Sequence, residues 1–176
     1  MELEFLHMLQ GWHTEWLDAV MVFVTKLGDA GILWIAIGLI LAIIPKTRKC
    51  GVLVLISMAV SFLFGNIILK NVIGRARPFH VDNTVALLIP EPSEYSFPSG
   101  HTLNGFTASV MIFLHYRKPG IAAILFAALI AFSRMYLFVH YPTDILGGIA
   151  LGIVDAVLVY LVAKKVLGRK KIEETK

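Results

Sequence analysis

Two stretches of this chain, Gly51–Leu69 and Thr143–Ala163, are apolar for about the 20 residues that a helix needs to cross a hydrocarbon layer. A backbone in hydrocarbon must satisfy its own hydrogen bonds, so such runs fold as helices. Gly120–Val139 is a third run, interrupted by Ser133 and Arg134. Gly31–Ile44 and Thr102–Tyr116 are shorter and need flanking residues or a locally thin bilayer. With 57% hydrophobic and 16% charged residues among 176, the whole chain falls outside the usual range of soluble domains. The expectation is an all-α, polytopic membrane helix bundle, one domain over residues 1–176. Trp16–Thr25 is flanked by Glu15 and Lys26 and broken by Asp18. With Phe5, Leu6, Met8 and Leu9 before it, this region reads as interfacial amphipathic helix. That gives five spans, or six if this segment also crosses. Met1–Leu9 carries two Glu and no Lys or Arg, unlike the cationic start of a secretory signal. Cys50, the single cysteine, has no internal disulfide partner and reads as a passive thiol.

Basic residues orient the bundle. Lys46, Arg48 and Lys49 follow the first span, Arg117 and Lys118 the third, and Lys164, Lys165, Arg169, Lys170, Lys171 and Lys176 the fifth. These eleven fall on one side, which the positive-inside rule makes cytoplasmic. The same distribution makes the positive charge that of a membrane anchor, with no nucleic-acid partner. Lys26, Lys70, Arg75, Arg77 and Arg134 remain for the other face.

Most of those outer cations belong to three clusters: "KNVIGRARP" (Lys70–Pro78), "PSGH" (Pro98–His101) and "SRMYLFVHYPTD" (Ser133–Asp144). In this topology all three meet at one outer boundary. Taken alone, each has an ordinary explanation. Arg75 reads as a snorkelling cation, and Ser99 as a helix N-cap. Arg134, inside an apolar run, is harder to explain without a function. Together they suit phosphoryl transfer. Lys70, Arg77 and Arg134 supply charge and multiple donors for phosphate oxygens. Ser99 and Gly100 open a helix, where free N–H groups and the dipole favour an anion. His140 and His101 provide a nucleophile and a general acid. Asp144, four residues after His140, can fix that imidazole's tautomer, which assigns attack to His140 and leaving-group protonation to His101.

The patterns K-x6-R-P, P-S-G-H and S-R-x5-H-x3-D, matched at every defining position, resemble the signature of the type 2 phosphatidic acid phosphatase superfamily. The resemblance covers most of the chain. It implies metal-independent hydrolysis of a lipid phosphate ester or anhydride through a phosphohistidine on His140, with Asp144 its partner and His101 the acid. Lys70, Arg77, Ser99, Gly100 and Arg134 become phosphate ligands, and no cofactor or metal is implied. Within the superfamily the short chain and N-terminal amphipathic stretch are similar to undecaprenyl diphosphate phosphatases of the bacitracin-resistance type. Gly100 stands where that group often has Asp, and resembles instead the phosphatidylglycerophosphate and phosphatidate phosphatases.

A rival of another class is an anion or lipid transporter with an external phosphate-binding vestibule. Asp155, within the fifth span, is the residue that favours it. The alternative for Asp155 is a carboxyl hydrogen-bonded inside the bundle, with Asn66, Asn104 or Ser61 as partner. His7, His13, His80 and His115 lack ligand spacing with acidic or thiol partners and read as interfacial or loop residues. In the loop Phe79–Phe97, Leu87, Leu88 and Ile89 are expected to dip toward the bilayer, and Asp82, Glu91 and Glu94 to repel excess phosphate. Nothing in the sequence sets an oligomeric state.

Overall fold

The computed structural model describes residues 1–173, with side chains through Val166. The fold among these residues is all-helical. In chain order come α1 (Glu2–Gln10), α2 (Glu15–Leu27), a 3₁₀ turn (Asp29–Gly31), α3 (Ile32–Ile43) and α4 (Arg48–Ser61). A π-helical stretch (Phe62–Leu69) extends α4 into α5 (Lys70–Ile73), and α6 (Pro78–Val81) follows. The last three are α7 (Gly100–His115), α8 (Arg117–Tyr136) and α9 (Pro142–Glu173).

All five apolar sequence segments are helical. Arg48–Val81, Arg117–Tyr136 and Pro142–Val166 are each long and apolar enough to span a membrane, and α2 with α3 qualify as a pair across a 42° bend. By length and composition that makes three spans, or four with the bent pair. The 16-residue α7 reaches only about 24 Å at 1.5 Å per residue. It compensates by position: α4, α8 and α9 pack around it, and Leu103, Ala108, Met111 and Ile112 are buried.

Two hydrogen bonds tie α2 to the end of α8. Asp18 near its start accepts from the Tyr136 hydroxyl at 2.5 Å, while Thr25 near its end accepts from Arg134 Nη1 at 2.6 Å. Both contacts are with the last turn of α8. Trp16 and Phe23 stay exposed, and Met21 and Val24 are buried against the bundle. The chain turns down into α3 through Ala30 (φ 50°) and Gly31 (φ 68°).

The α3–α4 hairpin depends on missing side chains. A Cβ on Gly51 would lie 2.2 Å from Ala42 N and 2.5 Å from Gly38 O, so the backbones touch directly. Gly51→Val is expected to lower stability by roughly 1–3 kcal/mol. Thermal unfolding in detergent measures it, and an unchanged midpoint would refute the packing. Cys50, beside it, is buried in the core. Asp155 accepts from Ser61 Oγ at 2.7 Å, and Ser61 bonds Thr107 at 2.7 Å, so the hydrogen-bonded reading of this carboxyl holds.

The ends of the bundle are chemically opposite. The Tyr116 hydroxyl donates to Lys46 O, and Arg48 and Lys49 share a groove end with Ala163 and Val166. The three polar clusters gather at the other end. Lys171 and Lys176, expected on the basic side, lie respectively where no side chain is described and outside the described residues.

Candidate active site

His140 sits between α8 and α9, buried. Pro142 starts α9, and the i,i+4 relation brings Asp144 Oδ2 to 3.3 Å from His140 Nδ1. Asp144 is itself immobilised. Its Oδ2 also accepts from Ser96 Oγ at 2.5 Å and Tyr141 N at 2.9 Å, and its Oδ1 from Arg75 Nη1 at 2.6 Å. A carboxylate so solvated by donors stays ionised, which favours a proton on His140 Nδ1 and a lone pair on Nε2. Burial pushes the His140 imidazole well below the usual histidine range, Arg77 and Arg134 push the same way, and the Asp144 contacts oppose them. The ring is therefore neutral, and a neutral ring is a nucleophile. By the same shift, an unfolded chain takes up a proton here below about pH 6.5 that the folded chain does not, so acid destabilises the fold at this residue.

Arg77 faces that lone pair. Its Nη1 lies 3.1 Å from His140 Nε2 and donates to Val139 O at 2.9 Å, while its Nε donates to Glu94 O at 2.6 Å. Lys70, buried at the end of the second apolar run, reaches Glu94 Oε2 at 2.5 Å. Arg134 is 3% exposed, and its Nε is buried with no partner among the described residues. An orphaned charged donor is costly, and an anion at this point would satisfy it.

Ser99 and Gly100 begin α7. Ser99 takes the N-cap role: its Oγ accepts from Thr102 N at 3.5 Å and from Thr102 Oγ1 at 3.0 Å, and its N–H donates to Asp144 O at 3.2 Å. Gly100 leaves space for Asn66, whose Oδ1 would be 2.8 Å from a Cβ there. His101 is on the first turn, with Nε2 2.9 Å from Asp29 Oδ1. Lys70, Asn71, Ser93, Glu94 and Tyr95 border a cavity of about 380 Å³ beside these residues.

Three expectations change. Arg75 is no snorkelling cation: it binds Asp144, Glu2 Oε2 (2.6 Å) and Thr143 Oγ1 (2.6 Å), and lies 4.0 Å over the Tyr141 ring. Glu94 does not repel anions from outside but occupies Lys70, whose hydrogen bond holds the Glu94 carboxyl below its usual range. Asp82 likewise pairs with His7 at 2.7 Å. Leu87 and Ile89 pack against the buried cluster that includes Phe79, Tyr136 and Phe138, leaving Leu88 as the exposed member of the trio. Ser96, Asp29 and Thr25 were not legible. Their partners are 44 or more residues away, and no periodicity links them. Of the remaining histidines, His13 stacks on Tyr136 and His115, at the end of α7, bonds Met111 O.

Because Arg75 holds Asp144 rather than the reacting atoms, Arg75→Ala should misplace the dyad and cost up to about 10²-fold in kcat. Steady-state kinetics with KM near wild type would support this; unchanged kcat would refute it.

Known proteins resemble this chain over most of its length. An undecaprenyl-diphosphatase of Sulfolobus acidocaldarius is 38% identical over 137 residues, covering 77% of this chain and 66% of that protein. The undecaprenyl-diphosphatase BcrC of Bacillus subtilis is 32% identical over 148 residues, covering 84% of this chain and 76% of its own. The crystal structure of a transmembrane PAP2-type phosphatidylglycerolphosphate phosphatase from Bacillus subtilis superposes with a TM-score of 0.77 at 30% identity, covering 94% of this chain and 85% of that one. The family pattern itself matches residues 51–167, which hold every phosphate-binding and catalytic candidate named from the sequence, and the chain belongs to the PAP2 superfamily.

Proposed function

We propose that this chain is an integral membrane lipid phosphatase that removes the terminal phosphate of a lipid diphosphate, undecaprenyl diphosphate in the first instance, through a phosphohistidine. One observation carries the reading. A neutral, oriented His140 lies beside Arg77, with Lys70 and the orphaned Arg134 Nε converging on the same end of an apolar bundle. The substrate phosphate takes the Arg77 N–H now aimed at His140 Nε2 and displaces Glu94 from Lys70. Nε2 then attacks phosphorus, the bond to the leaving oxygen breaks, and His101 gives that oxygen a proton. Water next attacks phosphohistidine, loses its proton to His101, and releases phosphate and neutral His140. The Lys70, Arg77 and Arg134 charges and the amides at the start of α7 take up the oxyanion charge.

A groove of about 930 Å³ supports a lipid tail. It runs between α4 and α9, walled by Val52, Ile56, Phe64, Val154 and Leu158, and ends at Leu69, next to Lys70. Two relatives carrying the undecaprenyl-diphosphatase name favour a prenyl diphosphate. Gly100, standing where undecaprenyl diphosphate phosphatases of the bacitracin-resistance type often have Asp, favours the second reading, a phosphatidylglycerophosphate phosphatase. Phosphate release by the purified chain, compared across undecaprenyl diphosphate, phosphatidylglycerophosphate and phosphatidate, separates them. Binding of the lipids with no phosphate released would instead support the transporter reading.

Two further outcomes belong to this reading. Turnover should survive EDTA, since side chains and amides carry the anion; loss on chelation with recovery in magnesium would overturn the cation assignment. The site should also face the extracytoplasmic side, because the sequence places eleven of sixteen Lys and Arg after the opposite ends of the apolar runs. Reporter fusions after Lys49 and after Lys176 should both read cytoplasmic, and an external reading at either would reverse the orientation.

A further inference from the structure

Three residues from the N-terminal segment, which precedes the family-matched region 51–167, reach into the site: Glu2 on Arg75, Thr25 on Arg134 and Asp29 on His101. The last contact has a chemical consequence. We infer that Asp29 is a positioning residue for the general acid, fixing the His101 ring and favouring its protonated form. The inference rests on the reading above, in which His101 protonates the leaving group.

His101 occupies a poor place for an acid. The first turn of a helix carries the positive end of the dipole, which disfavours an imidazolium. Burial pushes the His101 imidazole below the usual histidine range, to about 4, and the neighbouring cations Arg134 and Lys70 push the same way. The carboxylates on the other side of this balance are Asp29, in direct contact, and the more remote Glu94. An opposite charge within hydrogen-bond reach is the ordinary way to keep such a ring protonated. Asp29 accepts from Nε2, which leaves Nδ1–H to give its proton to the departing oxygen and later to take one from water.

Asp29 is also held for this contact. Two successive left-handed residues, Ala30 and Gly31, follow it. Gly28, just before it, lies so close that a Cβ there would stand 2.7 Å from His101 Cδ2. A Cβ on Gly31 would be 3.0 Å from Asn104 Nδ2, one turn further along α7. The 28–31 turn is thus moulded onto the start of α7. Non-glycine residues in the left-handed region cost free energy and persist where surrounding structure dictates them. The site then contains two His–Asp pairs of different duty: Asp144 orients a neutral nucleophile, and Asp29 raises the proton affinity of the acid.

The test compares leaving groups in the purified full-length chain. An alkyl phosphate such as dodecyl phosphate expels an alkoxide and needs the proton, whereas p-nitrophenyl phosphate expels a stable anion. Asp29→Asn should lower kcat/KM for dodecyl phosphate about 10- to 10²-fold, part of the range for general acid catalysis, and change p-nitrophenyl phosphate less than about threefold. The alkaline limb of kcat should move to lower pH, and Asp29→Glu should restore part of the loss. In a His101→Ala background Asp29→Asn should add nothing, since the two act as one unit. The Asp29 side chain is 59% exposed, so the substitution leaves no buried gap, and inhibition by inorganic phosphate reports an intact site. Equal losses on both substrates, or none on either, would overturn the inference. If His101→Ala itself lacks leaving-group dependence, the mechanism above fails; if His101→Ala shows it and Asp29→Asn does not, only the role of Asp29 fails.

Discussion

His140→Ala is expected to lower phosphate release by on the order of 10⁴-fold or more, the scale seen when a nucleophile that works with its partners as a unit is removed. At about 1.4 kcal/mol per factor of ten, that is roughly 5.5 kcal/mol of lost transition-state stabilisation. No substitute is in position. Ser99 Oγ is committed to Thr102, and His101 is turned onto Asp29. Inhibition by inorganic phosphate should survive, because Lys70, Arg77 and Arg134 remain. Single-turnover assays with inhibition controls measure both quantities, and activity near wild type would exclude His140 as the nucleophile.

His101→Ala is the second large effect, about 10²- to 10⁴-fold for substrates that expel an alkoxide. A lipid diphosphate expels a lipid phosphate and p-nitrophenyl phosphate a nitrophenolate, both already stable anions, so the loss on each should be smaller. The contrast with alkoxide leaving groups is the check. A uniform loss would mean that His101 binds phosphate or shapes the site and does not protonate the leaving group. Asp144→Asn should fall between the two histidine variants, since the ring keeps its place but loses the carboxylate that sets its tautomer.

Much of this site was legible because its parts sit at element boundaries. Pro142 and the four-residue step from His140 to Asp144 specify a helix start with a carboxylate under the ring. Ser99 and Gly100 mark another helix start, and Arg134 is conspicuous inside an apolar run. What escaped reading was the supporting layer. Arg75 looked like any interfacial cation because its partners, Glu2 and Asp144, are 73 and 69 residues away. Asp29 is hidden for the same reason, and its left-handed turn has no sequence signature beyond two glycines around it. Glu94 was read by charge alone, but position decides its role, and it sits on Lys70 at 2.5 Å. In the fold, apolar runs located each helix of the bundle. The short α7 was understood only from the neighbours that surround it, which is a tertiary fact.

The most direct test of the account is to trap the covalent intermediate. Rapid acid-free quenching of the purified chain with radiolabelled lipid diphosphate should give a phosphoenzyme that is stable to base and labile to acid. Peptide mapping should place the label on His140, the label should chase into phosphate at the rate of turnover, and it should be absent in His140→Ala. A label on Ser99, or turnover with label on no residue, would contradict the mechanism.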